Sequence, residues 1–253
     1  MTPEWRRRLK EASDRHVRGL RLSISREMRQ AVEEIERGAW DATFHAQRLT
    51  EILQLHYADT GRTFARLARE MIGPKDAARA AFAELTRALE AAEQRDDSIL
   101  FGDRVAELIR SHAALRARQI AGTSQAILTE ALEEAARQGL GEAAAARLIR
   151  QRLAEDAISV ARARMIARTE IGAAQNAGMI GAAEQLGIRV IKTWVAIQDG
   201  RTRTSHSLVD GKTILPGQKF EVGDAQLEYP GDPNGPPEEI INCRCTMFLE
   251  QSQ

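Results

Sequence analysis

Two cysteines, Cys243 and Cys245, and one histidine, His206, are the residues of this 253-residue chain best suited to holding a metal. On an extended strand, residues two apart face the same side, so both sulfurs would emerge together. Two thiolates and an imidazole can hold a tetrahedral zinc if the segment carrying His206 folds back, with Asp199 or Asp210 as a fourth ligand. One Cys-X-Cys with a distant histidine is a thinner signature than two Cys pairs, or a Cys pair with a His pair. The competing reading is two small buried thiols beside a histidine bonded to a loop carbonyl. A thiol enzyme would further need an activated Cys–His pair, which spacing alone does not define.

A second set comprises Arg168, Glu170, Asn176, Asp199, Arg201 and Arg203. Arg168 and Glu170 lie two apart on a helix and so face different ways. Each is expected to tie that helix to a loop, Glu170 for example to an arginine of the following hairpin. With Trp194 and Asp210 these residues form an expected structural network. Glu170 as base and His206 as acid would require a pocket, and no catalytic residue is assigned.

Arginines make a third set. Arg6, Arg7, Arg8, Arg15 and Arg18, followed by Arg21, Arg26 and Arg29, could track DNA phosphates, and Arg147, Arg150, Arg152, Arg162 and Arg164 form a second run. Arginine outnumbers lysine 31 to 5, however, so it is this chain's general surface cation. No aromatic residues interleave these runs to stack bases, and no glycine-rich phosphate loop appears. Sequence-specific reading is not expected; the contact these residues could make is weak and non-specific, with the backbone of double-stranded DNA, through Arg6, Arg7, Arg8, Arg15 and Arg18.

The elements that must position these residues follow from composition and period. Aromatics are 4% of the chain, alanine and arginine abound, and the net charge is zero, so helices are favoured and no whole-molecule field acts on a partner. Residues 1–30 carry nine Lys/Arg against four Asp/Glu, while 221–250 carry seven acids against Arg244. Pro3 to Arg37 repeats apolar residues at threes and fours and reads as one helix, stopped by Gly38, too long to stand without a partner helix. Asp41 caps a second helix that ends at Gly73-Pro74. A third is expected through Ala92 and a fourth from Ile99 to Ile120, separated by Asp96-Asp97-Ser98. Thr123 or Ser124 should cap the next, closed by Gly139-Leu140-Gly141, with a short helix over Glu142–Leu153 after it.

From about Asp156 to Leu186 runs a helix rich in small residues, ended by Gly187. Its small side chains predict close neighbours on more than one side. Beyond it the period changes. Ile188–Ile197 reads as a strand closed by a hairpin at Asp199-Gly200, Lys212–Ile214 and Lys219–Val222 as short strands, and Ile240–Leu249 as the last. Five of seven prolines lie between Pro216 and Pro237, which bars long helices there. The class is α+β: a helical bundle or stalk over residues 1–122, then a compact domain over 123–253 with helices and a small antiparallel sheet. The N-terminus lacks the apolar run of a secretory signal, no window suits a membrane span, and two cysteines predict no disulfide framework, so a cytosolic origin without membrane contact is expected.

Ala167-Arg168-Thr169-Glu170, Asn176, Trp194, Asp199-Gly200-Arg201-Thr202-Arg203, His206, Asp210-Gly211, Tyr229-Pro230-Gly231-Asp232-Pro233 and Ile241-Asn242-Cys243-Arg244-Cys245 together resemble the phage Mu protein F-like head-morphogenesis domain over roughly residues 125–250. The resemblance implies a non-enzymatic minor head protein of a tailed phage or related particle. It would reside in the virion at the portal vertex, be made in the host bacterial cytoplasm, and contact the portal protein and the major capsid protein. It would act in head assembly and DNA packaging or delivery, with non-specific DNA binding in some members. The family domain also occurs joined to toxin domains; with Gln253 soon after Cys245, none is expected here. The rival expectation is a metal-dependent enzyme acting on nucleic acid through His206, Cys243, Cys245 and Asp199.

Overall fold

The computed structural model describes residues 2–37, 39–73, 111–140, 142–154 and 159–252. In chain order these form α1 (Pro3–Glu36), α2 (Ala42–Ile72), α3 (Ala113–Arg137), α4 (Glu142–Arg152), α5 (Val160–Gln185), β1 (Val190–Val195), α6 (Thr204–Val209), β2 (Thr213–Ile214), β3 (Phe220–Val222), β4 (Ala225–Leu227), α7 (Pro237–Ile240) and β5 (Thr246–Gln251). Long helices come first and small antiparallel sheets last, the expected α+β order.

Three of the long helices, α1, α2 and α5, start where side chains can satisfy their free amides. Thr2 accepts from the Trp5 amide ahead of α1, Asp41 from Thr43 and Phe44 ahead of α2, and Ser159 from Arg162 ahead of α5. At 34 residues α1 is about 50 Å long, and it lies along α2 and α5, burying Leu9, Leu20, Ile24 and Met28. Gly139 and Gly187 adopt the left-handed conformation after α3 and α5, at φ 62° and 64°. Gly38, Pro74, the helix expected through Ala92 and most of the one expected from Ile99 fall outside the described residues.

Thr123 and Ser124 do not start a helix. Both lie inside α3, and their hydroxyls donate back to the carbonyls of Gln119 (2.9 Å) and Ile120 (3.1 Å). A hydroxyl satisfied one turn behind is not available to cap the turn ahead. Helix α3 therefore runs straight through residues 122 and 123, where the sequence suggested a division. The larger core likewise joins Leu9, Leu53 and Phe64 of the first two helices to Ala174 of α5 and Met247 of β5.

The middle of helix α5 is buried on nearly all sides, because its small residues admit other backbones. A Cβ on Gly178 would stand 2.7 Å from the Gly61 carbonyl oxygen and 3.0 Å from its Cα, so α2 and α5 cross backbone on backbone. On another side, Gly231 at φ 77° brings its loop against Gly172 and Ala173.

The main sheet has order β2-β1-β5, both pairs antiparallel, with Trp194 opposite Met247 and Lys192 opposite Leu249. Those four residues share one buried face, and the other face is half-exposed. Asp199-Gly200 does not close a hairpin: Asp199 turns its carboxylate onto the Arg201 amide at 3.0 Å and the chain goes on into α6. The last strand starts at Thr246 rather than Ile240. Pro237 begins the one-turn α7, and Asn242 at φ 58° interrupts the extended path. Strand β4 was not anticipated; β3 turns into it through Gly223, at φ 58°, and Asp224. Trp194, Val209, Phe220, Val222, Leu227, Ile240, Cys243 and Cys245 form most of a second, smaller core.

Replacing Gly178 with alanine should destabilise the protein. Overpacking costs about 1–3 kcal/mol, against about 1 kcal/mol gained in helix propensity. Gly122→Ala, where an added Cβ meets nothing within 4 Å, should stabilise by up to about 1 kcal/mol. Opposite shifts of the urea midpoint for the two variants would bear this out.

Candidate metal centre and the loop network

His206 sits on α6, and Cys243 and Cys245 flank Arg244 in the loop before β5. The imidazole Nδ1 lies 3.3 Å from the Cys245 sulfur and 3.6 Å from that of Cys243. The three candidate ligand atoms all fall within 4.8 Å of one another, and all three residues are buried. Strand geometry is not what brings the sulfurs together, since both precede β5; the chain turns so that the Cys245 amide donates to the Cys243 sulfur at 3.4 Å. On the other edge of the ring, Nε2 is 2.9 Å from Glu239 Oε2, which also accepts from the Ser205 hydroxyl at 2.9 Å. Trp194 stands edge-on to the imidazole, with centroids 5.4 Å apart, and edge-on to Phe220 at 5.2 Å.

These contacts polarise the group. The hydrogen bond with Cys245, aided by His206, holds the Cys243 thiol well below its ordinary range despite burial. The same bond, seen from the other side as a bond with Cys243, and burial push the Cys245 thiol up. Burial disfavours the His206 imidazolium, but the bond and charge of Cys243 outweigh it and its pKa ends above the ordinary value.

Neither aspartate considered as a fourth ligand joins the cluster. Arg244 donates to both Asp199 oxygens at 2.6 Å, and this pairing above all holds the Asp199 carboxyl far below the usual range. Asp210 accepts from the Ala196 amide at 2.7 Å and from Gln198 at 2.8 Å, pinning the end of β1. Glu239 is the acid that sequence reasoning missed. Its signal was present, since Pro236-Pro237-Glu238-Glu239 carries the proline and acids of a helix start.

The expected network divides into two. Toward the cysteine loop, Arg168 donates to the Asn242 side chain at 3.3 Å, Thr169 Oγ1 accepts from the Asn242 amide at 2.8 Å, and Arg203 donates to the Ile241 carbonyl. Arg201 folds onto Asp199 at 3.2 Å. Asn176 donates to the Pro230 carbonyl at 2.8 Å and accepts from Thr246, which accepts in turn from Gln175. Asp232 receives the amides of Glu228 and Asn234, both at 3.0 Å. Glu170 faces the opposite way and meets no hairpin arginine. It accepts from the Tyr57 hydroxyl of α2 and lies 3.7 Å from Arg116 of α3. One residue further along a helix turns the side chain by about 100°, which carries Glu170 away from the loop that Thr169 holds.

Among the N-terminal arginines, Arg6 donates to the Ala196 carbonyl at 3.3 Å, and Arg8 pairs with Glu70 and lies over the Trp5 ring. Arg7, Arg15 and Arg18 are exposed. Arg162 is internal, donating to the Ile120 carbonyl and to Ser124.

Residues 126–248 match the model of the family described as Phage Mu protein F like protein. That match spans just under half of the chain. Over 98 residues the chain is 37% identical to Minor head protein GP7 of Bacillus phage SPP1, which covers 36% of this chain and 30% of the phage protein. Over 97 residues it is 34% identical to the NAD(+)--arginine ADP-ribosyltransferase EFV of Enterococcus faecalis, covering 37% of this chain and 20% of that protein. The chain thus spans under a third of the length of either relative. No solved structure matches it. The Mu F-like segment contains every motif residue placed above, from Arg168 to Cys245, together with Glu239; Tyr57, which meets Glu170, lies outside it.

Burial, against the Tyr57 bond and Arg116, raises the Glu170 pKa. A folded-state pKa above the unfolded one gives stability that is complete below the ordinary carboxylate range and is lost as pH rises through the folded value. Glu170→Gln keeps an acceptor for Tyr57 and removes that titration. Its stability should therefore change less than the wild type's as pH rises above about 4.5. Urea midpoints measured across that range would run parallel for the two proteins if the idea were wrong.

Proposed function

We propose that this protein is a structural minor head protein of a tailed phage or phage-like particle. In this reading it sits at the portal vertex of the virion, contacts the portal protein and the major capsid protein, and acts in head assembly and DNA packaging or delivery. The observation that carries the reading is the Mu F-like match over residues 126–248, joined to 37% identity with a phage minor head protein. Function is drawn here from relatives, since a fold by itself does not name one.

The use of the motif residues supports a structural role. Asn176, Asp199, Asp210 and Asp232 spend their polar atoms on neighbouring loops rather than on an opening. A cavity of about 650 Å³ beside β2 and β3 is lined by Lys212, Phe220 and Gln226 among others, and by neither Glu170, His206, Cys243 nor Cys245. The long pair α1 and α2 offers an extended surface, with Phe44 and Leu55 exposed, on which partner helices can dock. The rival reading, a metal-dependent enzyme acting on nucleic acid, rests on the convergence of His206, Cys243 and Cys245; burial of all three speaks against substrate reaching them.

Location in a particle is the direct test: a reconstruction of assembled heads should show this chain at the portal vertex. Normal, infectious heads formed without it would refute the assignment. For DNA, Arg7, Arg15 and Arg18 are the exposed candidates on α1, diluted by Glu11 and Asp14. The full chain should bind duplexes of unrelated sequence alike. A triple alanine variant at these positions should lower the salt slope by about 0.9 for each phosphate that it no longer neutralises. Binding indifferent to salt would remove the arginine face from the mechanism.

A further inference from the structure

We propose that His206 Nδ1, Cys243 Sγ and Cys245 Sγ hold one structural zinc ion, with Glu239 as the carboxylate that orients the histidine. The proposal stands on geometry and does not depend on the phage assignment.

Distances make the first case. With Zn–N near 2.05 Å and Zn–S near 2.3 Å at a tetrahedral angle, ligand nitrogen and sulfur lie about 3.6 Å apart. His206 Nδ1 is 3.3 and 3.6 Å from the two sulfurs. Both sulfurs approach the same ring nitrogen, as two ligands of one ion would.

The second observation is independent and lies on the opposite edge of the ring. Nε2 is 2.9 Å from Glu239 Oε2, and the Ser205 hydroxyl donates to the same oxygen. A proton on Nε2 donated to Glu239 leaves the Nδ1 lone pair facing the two sulfurs. This is the carboxylate–histidine–metal arrangement, in which the outer carboxylate fixes tautomer and ring angle. Glu239 cannot itself be a ligand from that side, and among the described residues no other His, Cys, Asp or Glu joins the three.

Without a metal, the Nδ1 edge would have only thiol hydrogen bonds, which are weak. Two thiolates and one imidazole suit zinc better than the harder calcium or magnesium. Both cysteines belong to the small second core, whose elements are short: α6 has six residues, β2 two, β3 and β4 three each, and α7 four. A metal joining α6 to the loop before β5 would brace a core that apolar burial alone supports weakly.

The test uses the full chain, free of any polyhistidine tag and purified without chelator. Elemental analysis should find about one zinc per chain. Cobalt(II) added to the chelator-stripped protein should give the intense near-ultraviolet thiolate charge-transfer band and the visible bands of a tetrahedral site. Cys245→Ser should abolish the charge-transfer signal or reduce it to that of one thiolate. Glu239→Gln should keep the stoichiometry while weakening zinc in chelator competition by roughly 10–100-fold. Should the cysteine variant fail to fold, the wild-type cobalt spectrum decides alone. A folded wild-type chain with negligible zinc and no charge-transfer band would overturn the proposal, as would a mass showing Cys243 and Cys245 joined in a disulfide. None of these outcomes bears on head assembly.

Discussion

Close approach of other backbones to α5 is the constraint on which the structure turns. Gly178 lets α2 cross at contact distance, and Gly172 and Ala173 let the loop at Gly231 lie flat on a different side. With α1 and β5 also against it, the mid-section of α5 from Ala173 to Ala183 is buried throughout. A helix enclosed in this way cannot rely on large side chains for cohesion. Dispersion over many short contacts replaces them, and each added methyl group is felt.

Polar side chains then finish what apolar packing leaves undone. The segment after β1 is mostly loops and one-turn elements, whose amides and carbonyls lack ladder partners. Asn176 takes the Pro230 carbonyl, Asp232 takes two amides, Asp210 takes the amide after β1, and Thr169 takes the amide of Asn242. Each is a local replacement for a missing secondary-structure bond. The Mu F-like motif thus reads physically as a set of loop fasteners around one buried helix, with the His206 cluster as the fastening of the second core. Such a set holds the loops around α5 in a fixed shape.

How much of this was legible in the chain depends on the range of the interaction. Asp41, Gly139 and Gly187 act on amides within a few residues, and helix ends were read correctly there. The small residues of α5 announced close packing, though not that Gly61 would be the neighbour. Thr123 misled because a hydroxyl can bond backward as well as cap forward, and sequence does not choose between them. Asp199-Gly200 has the composition of a hairpin, but its carboxylate is claimed by Arg244, 45 residues away. That His206, Cys243 and Cys245 belong together was readable from residue type; Glu239 as the partner of Nε2 was not. The pairing arises only when α6 and α7 pack side by side. Pairings of residues far apart in sequence are set by tertiary packing, which a local pattern does not record.

Glu170 shows what the fold implies for motion. Its neighbours two positions back and one back hold the cysteine loop, while it reaches Tyr57 of α2 and lies near Arg116 of α3. The same turn of α5 therefore grips the loop on one side and the N-terminal helices on another. Helix α3 runs unbroken through residues 122 and 123, and the larger core crosses from α1 to β5. A hinge between the helices and the Mu F-like segment would have to break that core and strand a buried carboxyl group, at a cost of several kcal/mol. A partner that pulls on α1 or α2 consequently acts on α5 itself, and through Arg168 and Thr169 on the loop that carries Cys243 and Cys245.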